Sequence, residues 1–189
     1  MFIFENARVR SLLAQSPANE RKRSTMSIQL ILATATISLA LVFYTIGVFD
    51  ERRHSLTKRN LVLFWTGFAF DTTGTTIMTL MAQSGGDAAL GMHAASGVLA
   101  IVLMAAHATW ATVTYVRGSD RAKQRFHTFS IVVWLFWLMP YTLGVLQGVP
   151  MLHLANLQAG IGSLVVVGAA ALLVVLTALR GRKRHASRG

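Results

Sequence analysis

The chain has 189 residues, of which 53 % are hydrophobic and only 13 % charged, a balance too apolar for an ordinary soluble domain of this size. It contains no cysteine, which excludes disulfides, thiolate metal sites and haem attached through a C-x-x-C-H motif. The net charge of +11 sits in two tails and two loops. It therefore reads as a topology signal rather than a nucleic-acid groove, and no nucleic-acid partner is expected.

Residues 1–25 are polar, basic and broken by Pro17, too short to form a core. Apolar runs of membrane length follow one another from there. They predict an all-α, polytopic transmembrane helix bundle with five spans, at about 27–49, 61–82, 92–117, 120–147 and 154–179. The chain divides accordingly into an N-terminal extension (1–25), one transmembrane domain (26–180) and a basic tail (181–189). Pro140 falls inside the fourth span and is expected to kink it or end its regular part. The fifth span is rich in Gly, Ala, Val and Leu without an ionisable residue, so it reads as a packing or lipid-facing helix.

All 18 lysines and arginines lie in the N-terminal tail, the first loop, the turn between spans three and four, and the C-terminal tail. With five spans, the last three groups share one face. The positive-inside rule makes that face cytoplasmic, with the C-terminus inside. The N-terminal tail then lies outside with five positive charges of its own. Initiation at Met26 removes the conflict, and residues 1–25 are accordingly expected to be an upstream extension of the gene.

The third span, Met92 to Arg117, carries His93 and His107. Fourteen residues return a helix to within about 40° of its starting direction after a rise of roughly 21 Å. One face of this span (93, 97, 100, 104, 107, 111) reads His, Gly, Ala, Met, His, Ala. Small residues such as Gly97 beside an imidazole let a flat group approach, and imidazole is an axial ligand of haem iron. Histidine and small residues also serve plain helix packing, although ionisable groups at depth point to function by default. Both readings stand at this stage.

Counting outward from the turn at Gly118 and Ser119 brings His107 and His127, on the fourth span, to nearly the same height. The pair could ligate one b-type haem, with Lys123, one turn before His127, placed to meet a propionate. His93 could serve a second haem with His153. His54 and His185 lie in a charged loop and tail. Asp71 is the one acid inside a span, within the run FDTTGTT. It could accept a hydrogen bond from a ligand histidine and fix its tautomer, or be a structural acid bonded to hydroxyls. Trp65, Trp110, Trp134 and Trp137 could pack around a porphyrin or anchor at the interface.

The successive segments YTIGVF, LVLFWTGFAFDTTGTTIM, MHAASGVLAIVLMAAHATWAT and RFHTFSIVVWLFWLMPY, between Met26 and Gly148, resemble the small bacterial heme-sensing membrane proteins of the HsmA type. The resemblance implies a haem-binding membrane protein that limits haem toxicity and is not an enzyme. It places Asp71, Thr72, Thr73, Gly74, His93, His107 and His127 in the matching motifs; the fifth span and the N-terminal extension lie outside it. Two other classes stay open from the residues alone. One is a membrane electron-transfer protein akin to cytochrome b; the other is a small proton-coupled transporter using Asp71 and the histidines. A site shared by two copies, with His107 from each, is also compatible with the sequence.

Overall fold

The structure, a computed structural model, describes residues 17–84, 92–148 and 156–186. Five helices account for almost all of them: α1 (Pro17–His54), α2 (Lys58–Ser84), α3 (Met92–Arg117), α4 (Asp120–Gly148) and α5 (Asn156–Ala186). Four of the five, all but α2, are long and apolar enough to cross a membrane. Helix α2 is diluted by its threonines and Asp71.

Helix α1 extends further at both ends than the apolar run alone predicts. Pro17 is its first residue, where a missing N–H costs nothing, and the Ala, Glu, Lys and Arg that follow are good helix formers. The helix passes Met26 without a break. Helix α4 likewise continues through Pro140 to Gly148 instead of ending there.

Neighbouring pairs α1–α2, α2–α3, α3–α4 and α4–α1 close a ring of four helices, and α5 packs along α4 outside it. Successive helices run up and down. Two contacts between distant segments fix which ends coincide: Glu51 of α1 meets His127 of α4, and Arg52 of α1 donates to the Val174 carbonyl of α5 at 3.3 Å. The start of α2, the α3–α4 turn and the C-terminal part of α5 thus gather with the end of α1. The exposed Arg53, Lys58, Arg59, Arg117, Arg121 and Arg180 make this the basic end of the bundle.

In lipid, helix association depends on close van der Waals fit and interhelical hydrogen bonds. The α1–α2 pair shows both. A Cβ on Gly67 of α2 would fall 2.7 Å from the Tyr44 ring of α1, and one on Gly47 of α1 would fall 2.6 Å from the Phe64 ring of α2. Gly74 similarly lies against Ala33, Thr36 and Ile37. The turn between these helices passes through Ser55 at φ 65° and is clamped by the fully buried Asn60. Asn60 accepts from the Thr57 N–H at 2.8 Å and donates to the Gly47 carbonyl at 3.1 Å and to Asp50 at 3.0 Å.

Helix α5 is held differently. Its buried Ala159 and Ser163 face α4, with Ser163 donating to the Met139 carbonyl and sharing a 2.7 Å bond with Thr142. Only 11 % of its apolar window is buried within the chain.

Candidate functional site

One stripe of α4 carries the polar interior. His127, Ser130, Trp134, Trp137 and Tyr141 recur at steps of three and four, so they share a face. Each meets a polar partner on another helix: Glu51, His107, Thr45, Asp71 and Ser38 respectively. Three of these partners come from α1, one from α2 and one from α3. Polar side chains are costly inside a membrane bundle unless they are paired, and this stripe pairs them level by level.

The level nearest the basic end is a histidine–carboxylate couple. His127 Nδ1 lies 3.0 Å from Glu51 Oε2. The Glu51 side chain is only 2 % exposed, whereas that of His127 is 30 % exposed. An N–H at Nδ1 donates to the carboxylate, which leaves the lone pair of the neutral ring on Nε2. Metal-ligating histidines are oriented in just this way, by a carboxylate on the second ring nitrogen.

The next level contains His107. The face that spacing assigned to the interior of α3 is buried, with Ala100, Met104, His107 and Ala111 between 0 and 6 % exposed. His107 Nε2 lies 3.0 Å from Ser130 Oγ. Phe126 stacks on the ring at 5.3 Å between centroids, with planes 13° apart, and the Phe64 ring lies 4.5 Å away. Its Nδ1 is buried without a hydrogen-bond partner.

Height and direction therefore separate. Phe126 and Ser130, the residues that touch His107, flank His127 in sequence, so the two histidines do lie at similar depth. They face different ways: His127 toward α1, His107 into the aromatic packing between α2, α3 and α4. The His107 ring is covered by Phe126 and Phe64, whereas the His127 side chain is 30 % exposed.

Asp71 also finds partners other than those expected. It is 3 % exposed, and its Oδ2 accepts from the Trp137 indole at 2.8 Å and from the Tyr44 hydroxyl at 3.5 Å. It supports no histidine. The threonines beside it bond their own helix instead, Thr72 to the Phe68 carbonyl and Thr73 to the Ala69 carbonyl, each at 2.8 Å. Gly97 faces α2, where an added Cβ would meet only Thr75, at 4.0 Å. Trp110 is 48 % exposed and lies against Phe129 at 4.6 Å, and Trp65 donates to Thr112 at 3.1 Å. Lys123 is half-buried one turn before His127 on α4. The expectations placed on the His93 side chain, on His153, and on the side chains of His54 and His185 fall outside the described residues.

Sequence reasoning missed Glu51, Ser130 and Tyr44. Glu51 stands in the run DERRH, where an acid among basic residues reads as loop charge. Matching its height to His127 from the two helix ends would have found it. Among the described residues no cluster of three or more His, Cys, Asp or Glu could hold a metal ion by itself. Haem, whose four pyrrole nitrogens already hold the iron, needs fewer ligands from the chain. No known protein family, characterised protein or solved structure matches this chain.

Proposed function

We propose that this chain is an integral membrane protein of the bacterial inner membrane that binds b-type haem through His127, and that it sequesters or senses haem rather than turning over a substrate. In this reading α2 is the fifth span, its threonine hydroxyls and Asp71 satisfied within the bundle, and the basic end with the C-terminus is cytoplasmic. The observation that carries the reading is the 3.0 Å contact between His127 Nδ1 and a buried Glu51. A ring held by one nitrogen and partly open on its other side is ready to donate Nε2 to iron.

The chain's own part is binding and orientation. Glu51 fixes the imidazole, and its negative charge makes Nε2 a stronger donor. Lys123 and the exposed Arg121 and Arg125 stand on the same first turns of α4, where cationic groups can meet propionates. Bound haem would bring a redox-active iron; nothing in the arrangement positions a second substrate beside it. The resemblance to heme-sensing membrane proteins supports the same reading.

The test is a haemin titration of the purified full chain in mild detergent. The expected result is a red-shifted Soret band that saturates at a fixed stoichiometry. A spectrum indistinguishable from haemin in the same detergent without protein would overturn the proposal.

A further inference from the structure

Deeper in the bundle, and independent of haem, Asp71 presents a second problem. It lies thirteen residues from either end of α2, about 20 Å along the helix from each, and so, if α2 is the fifth span proposed above, at the centre of the membrane. A carboxylate at such depth is expensive. Hydrogen bonding does not explain it, because an asparagine oxygen would accept from Tyr44 and Trp137 equally well at lower cost. What an asparagine cannot do is bind and release a proton.

The surroundings are arranged for that role. Both donors converge on one oxygen, Oδ2, so among the described residues the charged form is held by neutral donors. On uptake, a proton bonds to a carboxylate oxygen and cancels the charge; on release it leaves to a neighbouring hydroxyl or water. Further hydroxyls lie beyond this point. Trp137 stacks on Tyr141 at 5.5 Å, and the Tyr141 hydroxyl lies 3.5 Å from Ser38 Oγ, further from the basic end. Toward the basic end the fully buried Phe64 and Met104 fill the core. We propose that Asp71 is a proton-binding site of this protein, with the Tyr44 hydroxyl and the Trp137 indole as the donors that hold its charged form.

Among the described residues, Glu20 and the Lys and Arg side chains of the helices around α2 lie near helix ends, and the ionisable groups between them are engaged elsewhere or are neutral hydroxyls. On α1, besides Tyr44, Glu51 is held by His127 and Asp50 by Asn60. On α3, His107 is bonded to Ser130. On α4, Tyr141 is paired with Ser38.

Infrared spectroscopy of the full chain in lipid bilayers, labelled with carbon-13 at the aspartate carboxyl carbons, tests this directly. The chain has four aspartates, and Asp71→Asn removes one. The expected result is an isotope-shifted protonated-carboxyl band that rises and falls reversibly with pH in the wild type and is missing in Asp71→Asn. Tyr44→Phe, which keeps the ring packing, should move that band by removing one hydrogen bond, and it serves if the asparagine variant does not fold. A band that ignores pH, or a wild-type spectrum without an Asp71-dependent carboxyl at any pH, would overturn the proposal. Neither outcome bears on haem, since His127 and Glu51 are untouched.

Discussion

Glu51→Gln isolates what the carboxylate contributes to the histidine it holds. Glutamine keeps the length of the side chain and can still accept from Nδ1, so packing and height are preserved while the charge is lost. Because Glu51 is 2 % exposed, water cannot stand in for the missing charge. A hydrogen bond to a charged group contributes about 1.5–3 kcal/mol and a neutral one about 0.5–1.5 kcal/mol. The difference, about 1–1.5 kcal/mol, corresponds to roughly tenfold in affinity, at the low end of the 10–100-fold range seen when a carboxylate behind a ligand histidine is removed. Haemin titrations followed at the Soret band should therefore show binding weakened about tenfold in Glu51→Gln, with the melting temperature of the apoprotein little changed. Wild-type affinity in the variant would refute the argument that Glu51 orients and charges the ligand ring.

Two further predictions concern the frame that holds this site. Asn60→Ala strips the α1–α2 turn of its clamp, leaving the Thr57 N–H unpaired and taking a donor from the Gly47 carbonyl and from Asp50; thermal unfolding in detergent should show a loss of about 1–3 kcal/mol, and an unchanged melting point would contradict the clamp. Gly67→Val drives a side chain into the Tyr44 ring, at a cost of about 1–3 kcal/mol or more. Disulfide trapping between cysteines introduced on α1 and α2 should become slower in that variant, and equal trapping would show that the close approach is not needed.

Much of the bundle can be read from the residues. The spacing of Ala100, Met104, His107 and Ala111 marks the inward face of α3, and these residues are buried. Counting from Gly118 puts His107 and His127 at one depth, as the contact of His107 with Ser130 bears out. The rotation of each helix about its own axis is what counting along a chain cannot supply. It is set by which neighbour lies where: α1 returns beside α4 and draws His127 to Glu51, while α2 inserts Phe64 against the His107 ring. The threonines after Asp71 looked like partners for its carboxylate, but in a helix a threonine hydroxyl reaches the carbonyl one turn back. Its actual partners, Tyr44 and Trp137, come from distant segments that only the ring of four helices brings together.

The central claim is that His127, and not His107, is the residue that meets iron. Haemin titrations of His127→Ala and His107→Ala, run side by side on the purified full chain, test it most directly. The account predicts that His127→Ala loses the Soret shift while His107→Ala keeps it, with lower thermal stability because the ring between Phe64 and Phe126 is gone. The reverse pattern, binding intact without His127 and abolished without His107, would contradict it.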